Sequence, residues 1–218
     1  GEMAHTALGY HGAEQLIELG KTALNPELRL STLAARYAKG DRSPEFLYNY
    51  AKAAAASMDN FAEKILLAYL QPQSDWNTEE NLRMIFEAAS GEEPELFDHI
   101  AKNRLALVEI YGEAVVNGQI QNLIISSIDF GSLSDQEVFQ KIDEAYQKAF
   151  PEQAGILSAN FRMNYYNMLG DMGQFAKAAE AYLNKYGSDD ANELNNIAWA
   201  FYENVDDRKM LEKAVQWA

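Results

Sequence analysis

Cysteine is absent from all 218 residues. The chain therefore holds no disulfide framework, no thiolate metal site and no dithiol redox chemistry. The absence assigns no compartment, because reducing and oxidising compartments both hold cysteine-free proteins. Histidine is scarce: His5, His11 and His99 are the whole set, and none is paired at helical i, i+4 spacing for a metal. Cations are in short supply, with Lys+Arg 18 against Asp+Glu 33 and a net charge of −15. That charge repels nucleic acid and anionic membranes and disfavours both as partners, and it also keeps a protein in solution. Long apolar runs are missing too. The longest uncharged stretch, around 115–128, is interrupted by Asn117, Gly118, Gln119, Gln121 and Asn122, which suits a buried helix and not a membrane span. No initiator Met and no basic-then-apolar leader stands at Gly1, as expected of a processed chain or of an excerpt. The sequence also stops at Ala218 inside a helical pattern, as expected if the array continued in a parent protein.

What is present is helix upon helix. Residues 48% apolar leave no room for wholesale disorder, and the five prolines stand at predicted helix starts or ends. The spacing of apolar residues predicts helices over 13–24, 27–38, 44–57, about 60–70, 78–89, from 94 to about 101, and 103–128. Gly112 and Gly118 are kink points of the last. Ser43 reads as an N-cap before Pro44, and Ala53–Ala56 as a surface for close helix–helix approach. Asn77-Thr78-Glu79-Glu80 resembles a capping box, Ser134 with Glu137 is a second, and Asp190 with Glu193 a third box-like start. Ser134 opens a helix that reaches Phe150. Four more follow, over about 153–169, 173–186, 190–203 and 208–218. Leu123-Ile124-Ile125-Ser126-Ser127-Ile128 is the stretch richest in β-branched residues, but a lone strand has no partner, so the expected fold class is all-α.

The strongest internal signal is a self-match at an offset of 36 residues across 159–218. It aligns Asn160 with Asn196, Tyr166 with Tyr202, Asp171 with Asp207, Lys177 with Lys213 and Ala178 with Ala214. Apolar positions follow: Phe161 with Ile197, Met163 with Trp199, Tyr165 with Phe201, Leu169 with Val205, Phe175 with Leu211. Such periods mark helical-hairpin solenoids. Gly173-Gln174-Phe175-Ala176-Lys177-Ala178 with Tyr182 resembles the second helix of a tetratricopeptide unit, whose period is ~34. The resemblance implies a right-handed α-α superhelix of antiparallel helix pairs, with Ala178 and Ala214 where paired helices cross. Two departures stand out: Ala218 occupies the later aromatic position of the second copy, and Asp190 lies where the family closes a unit with proline. The hairpin over 28–57 matches in shape alone.

At the other end, Gly1-Glu2-Met3-Ala4-His5, Gly9-Tyr10 and Ala13-Glu14-Gln15-Leu16 resemble the last strand and closing helix of a thioredoxin domain. Bacterial thioredoxin-like proteins with a long helical extension are the group implied. Residues 1–26 would be a remnant of that domain or a linker helix, 27–150 a helical-hairpin region and 151–218 two tetratricopeptide-like repeats. The resemblance implies a periplasmic or secreted location, and a redox dithiol upstream of Gly1.

Candidate chemistry is sparse. The acidic pairs Glu79-Glu80, Glu92-Glu93, Asp189-Asp190 and Asp206-Asp207 each fall at a predicted helix start, where negative charge offsets the helix dipole. No calcium loop, phosphate-binding glycine loop or nucleophile elbow appears, and no cofactor is expected. Tyr48, Tyr50, Tyr69, Tyr111, Tyr146, Tyr165, Tyr166, Tyr182 and Tyr202 fall on predicted helices. They suit either packing between layers or a concave surface for peptide or glycan. The tetratricopeptide resemblance implies an inward face of Asn160, Met163 and Asn167 in one unit and Asn196, Trp199 and Glu203 in the next. Asn amides donate and accept together, which suits a peptide backbone. The expected function is non-catalytic binding of a protein or peptide client, as the accessory part of a thiol-disulfide protein. The rivals are an enzyme, either a redox protein whose Cys-X-X-Cys lies upstream of this chain or a carboxylate-based hydrolase, and a structural spacer.

Overall fold

The computed structural model describes residues 20, 24–57, 59, 61–204 and 208–217. The first 19 residues, which carry the thioredoxin-like resemblance, His5, His11 and most of the first expected helix, lie outside the described set, as do Asp206 and Asp207. Among the described residues the fold is all-α, with no strand. The chain divides into two compact units, Gly1–Ile128 and Asp129–Ala218.

The first unit begins with a short 3-10 turn, Pro26–Leu28, followed by α1 (Leu30–Ala38), α2 (Pro44–Ala56), α3 (Ala62–Leu70), α4 (Glu79–Ala88), α5 (Pro94–Lys102), α6 (Arg104–Tyr111) and α7 (Glu113–Ser126). Two expected helices are divided. The stretch 27–38 breaks at Arg29, which is extended (φ −68, ψ 138) and whose N–H closes the 3-10 turn on Pro26 O. Asn25 Oδ1 caps that turn by accepting from Glu27 N at 3.0 Å. The stretch 103–128 breaks at Gly112, whose φ of 85° only glycine adopts at no steric cost, whereas Gly118 continues inside α7. A further break at Asn103 separates α5 from α6.

Alanine lets α2 approach two neighbours. Ala51, Ala53 and Ala54 are buried where α2 packs on α3 and α4. Ser43 stands at the N-cap of α2 but does not cap it; its hydroxyl donates to Asp41 Oδ1 at 3.0 Å. Asp41 is also held by Arg36, at 2.7 Å, and that bond draws its carboxyl below the usual range. Thr78 does cap α4, accepting from Asn81 N, but no reciprocal bond completes a box. The third residue of α4 is Asn81, which is buried and donates its amide to Gln73 Oε1 (2.8 Å) and Asp75 O (3.0 Å). Glu63, 3% exposed, reaches from α3 to the loop before α5 and accepts from the N–H groups of Ser90, Gly91 and Glu93. Gly91 is required there: its φ is 99°, and a Cβ would stand 2.9 Å from Leu123 O.

The second unit comprises α8 (Asp135–Ala149), α9 (Ala154–Leu169), α10 (Met172–Tyr186), α11 (Ala191–Asn204) and α12 (Arg208–Trp217). The expected Ser134–Glu137 capping box is complete: Glu137 N bonds Ser134 Oγ, and Ser134 N bonds Glu137 Oε2 at 2.8 Å. The second compact unit thus contains α8 together with the helices of the 151–218 region. Phe139 on α8 meets the rings of Phe161, Tyr165 and Tyr166 on α9, and Arg162 pairs with Asp143 at 2.6 Å. Gly170 in the left-handed conformation turns α9 into α10, and Asp171 caps α10 through Gln174 N. Helix α9 packs along α10, α11 along α12, and α10 joins the two pairs through α11. Their core gathers Met163, Phe175, Ala176, Ala179, Tyr182, Leu183, Ile197 and Phe201. The tightest small residues on α10 are Ala176 and Ala179, not the expected Ala178, which is half-buried. Tyr165 and Phe201, aligned by the repeat, are both buried; Met163 and Trp199, also aligned, are not alike, at 4% and 54% exposed.

Truncating Phe201 to Ala is expected to destabilise the second unit by about 3–5 kcal/mol in urea denaturation. Glu63→Ala takes the acceptor from three part-buried N–H groups and should cost about 1–3 kcal/mol, while Glu63→Gln, which keeps an acceptor, costs less. Equal losses for the two Glu63 variants would remove the clamp from this account.

Candidate functional site

Helical periodicity brings three asparagines of α9, Asn160, Asn164 and Asn167, to one face at i, i+4, i+7 spacing. They line a pocket of about 300 Å³ with Asn192 and Asn196 of α11, over a floor that includes Met163, Phe175 and Ile197. Met163 therefore serves the core as much as the groove. At the centre stands Glu193. Its Oε1 accepts from Tyr182 Oη at 3.1 Å and Asn160 Nδ2 at 3.3 Å, and its Oε2 accepts from Ser188 Oγ at 2.5 Å. Asn164 Nδ2 extends the chain by donating to Asn160 Oδ1 at 2.7 Å. Burial, followed by the bond to Glu193, pushes the Tyr182 phenol up. Glu193 does not close a capping box with Asp190, as its sequence position suggested; Asp190 Oδ1 alone receives the N–H groups of Asn192 and Glu193.

Of the six residues expected to form the inward face, Asn160, Met163, Asn167 and Asn196 meet in this pocket. Trp199 and Glu203 do not. The pocket side of α11 runs through 193, 196, 197 and 200; 199 falls on the adjacent stripe, whereas 203 continues the 196–200 stripe a turn beyond the residues that line the pocket. Trp199 instead sets its ring edge-on to Tyr202, 5.6 Å between centroids. Asn164, Asn192 and Glu193 were not singled out for the site. Asn164 had a signal, its i+4 spacing from Asn160, whereas the position of Glu193 announced only helix-start chemistry. Asn167 and Asn196 are exposed and their amides engage no partner among the described residues.

The first unit holds a second depression that sequence periodicity did not reveal. About 530 Å³ opens among α2, α3, α4, the loop after α4, α6 and α7, over Ala55, Ala62, Phe86, Ala88 and Ala89. Tyr111 stands at its edge and donates to Glu87 Oε1 at 2.8 Å. Of the acidic pairs, Glu79 binds Arg83 and Glu80 accepts from Tyr48 Oη at 2.6 Å. His99 rests its ring against Trp76, 5.6 Å away, and burial lowers its pKa. Among the described residues no group of three or more His, Cys, Asp or Glu side chains is placed to hold a metal ion, and no helix is long and apolar enough to cross a membrane. The geometry thus defines an all-α protein of packed helix pairs with an asparagine-lined groove. No protein-family model, curated protein or solved structure matches the chain.

Tyr48 and Tyr111 are both pushed up to about 12, for different leading reasons: the bond to Glu80 for Tyr48, burial for Tyr111. A phenol raised in the folded state stabilises fully below its ordinary pKa of about 10, and that contribution is lost as pH rises through the folded value. Tyrosinate absorbance should therefore show these two ionising last. Glu80→Gln is expected to lower Tyr48 more than Glu87→Gln lowers Tyr111, and the reverse order would overturn the assignment of causes.

Proposed function

We propose that this chain is a non-catalytic helical-repeat domain that binds an extended segment of a protein client along the α9–α11 groove. The observation that carries the reading is the pair Asn160 and Asn196. They occupy equivalent positions in the two repeat copies and line one pocket. An amide presents a donor and an acceptor together, matching the N–H and C=O of a peptide backbone, and Asn167 and Asn196 have theirs free. The packing of α9 on α10, α11 on α12 and α10 on α11 supports tetratricopeptide-like stacking of helix pairs in the second unit, for which the resemblance implies a right-handed superhelix. In the parent protein this domain would be the client-recruiting extension of a bacterial thioredoxin-like, periplasmic or secreted protein. A Cys-X-X-Cys motif ahead of Gly1 in the parent chain is the observation that would join it to thiol-disulfide chemistry.

The experiment is a screen of immobilised peptides, followed by titration calorimetry of the tightest binder. Each lost amide bond is worth about 0.5–1.5 kcal/mol, so Asn167→Ala with Asn196→Ala, which remove the two unengaged amides, should weaken binding roughly tenfold or more. Trp199→Ala, off the groove, should leave it unchanged. If the asparagine variants bind like the parent, the groove is not the site.

A further inference from the structure

We propose that the depression in the first unit is a second, independent binding site, for a peptide segment of a partner protein in which a large apolar side chain is flanked by lysine or arginine. Its floor is apolar and made largely of alanine: Ala55, Ala62, Ala88 and Ala89 surround Phe86. Alanine carries no side chain beyond Cβ, so a bulky occupant can sit close to the helix backbones. At about 530 Å³ the space is within the usual range of ligand sites. It adjoins a smaller depression of about 280 Å³ beside Met84 and Leu66, with Ala55, Glu87 and Ala88 lining both. Two adjoining hollows suit a linear occupant with more than one side chain to place.

Charge decides the flanks. Asp59, Glu63, Glu87 and Glu92 line the larger hollow, and no Lys or Arg does. Glu63 is committed to three backbone N–H groups and has no role in recognition. Glu87 gives one oxygen to Tyr111 and keeps the other open, and exposed Glu92 has no partner among the described residues. Arg83, the nearest cation to Tyr111, lies over its ring and is paired with Glu79. In the larger hollow a cationic segment therefore finds carboxylates at the rim with no lining cation to displace, and an acidic segment is repelled. Lys52, in the smaller hollow, is the one basic lining residue of the pair.

The test is fluorescence anisotropy with three fluorescein-labelled peptides: a Phe-Leu pair between Lys-Lys pairs, the same pair between Glu-Glu pairs, and Ala-Ala between Lys-Lys pairs. The first is expected to bind at least roughly tenfold more tightly than either control, and more weakly as salt screens the rim. Glu87→Lys with Glu92→Lys should weaken it roughly tenfold, and Ala55→Phe should block it while circular dichroism stays that of the parent. Asn167→Ala with Asn196→Ala should leave it unchanged, which separates this site from the α9–α11 groove. Absence of binding, equal binding of the Ala-Ala peptide, or indifference to both the charge and the Ala55 variants would each overturn the proposal.

Discussion

Phe201 is fully buried in the second unit, with its ring 5.6 Å from that of Phe175 and Met163 and Ile197 in the same cluster. Through that contact the two helix pairs of the repeat become one body. A helix of 14 to 16 residues, such as α9 or α11, gains too little from its own hydrogen bonds to persist alone in water. Each buries its apolar stripe on its neighbours, and Phe201 provides the shared surface. The asparagine-lined groove follows from this. Because Met163 and Ile197 turn into the core, the adjacent positions 160, 164 and 196 are carried to the facing edges of α9 and α11. Remove the aromatic contact, and the groove loses the element that sets its two walls.

Polar side chains complete what apolar burial begins. Glu63, Asn81 and Glu193 each sit where helices meet a loop, and each satisfies several groups that packing alone would leave unpaired. A buried N–H without a partner costs about 1–3 kcal/mol, so such side chains discriminate sharply between the native loop and alternatives. Glu63 secures the start of α5, Asn81 the segment before α4, and Glu193 ties α9 and α10 to the start of α11. None of the three belongs to a local motif, because their partners lie in tertiary space or across a loop. Glu193 also leaves the α9–α11 groove with a carboxylate held by neutral donors, so its polarity comes from amides and the carboxyl groups of Glu193 and Asp190.

Helix starts and stops were largely legible where a residue type acts on its own backbone. Pro44, Pro94 and Ser134 with Glu137 act that way, and their effects are seen in place. Reading failed where a side chain had a better partner than its own helix end. Ser43 bonds Asp41, Asn81 turns to Gln73, and Glu193 leaves the cap to Asp190. The repeat alignment indicated which residues correspond but not how deeply each is buried. Met163 and Trp199 are partners in sequence and opposites in exposure, because α11 and α12 have no third helix pair packed on them among the described residues.

By itself the sequence determined the all-α class, the order of most helices and the correspondence of Asn160 with Asn196. Those depend on periodicity, turn residues and capping chemistry, all short-range and carried by neighbours along the chain. Only the tertiary structure decided which asparagines share a groove, which side of α11 faces it, and that alanines of α2, α3 and α4 with the loop after α4 form the floor of a second one. These depend on the angle and separation at which helices pack, set by side-chain volumes drawn from distant positions, so they take shape only when the helices meet.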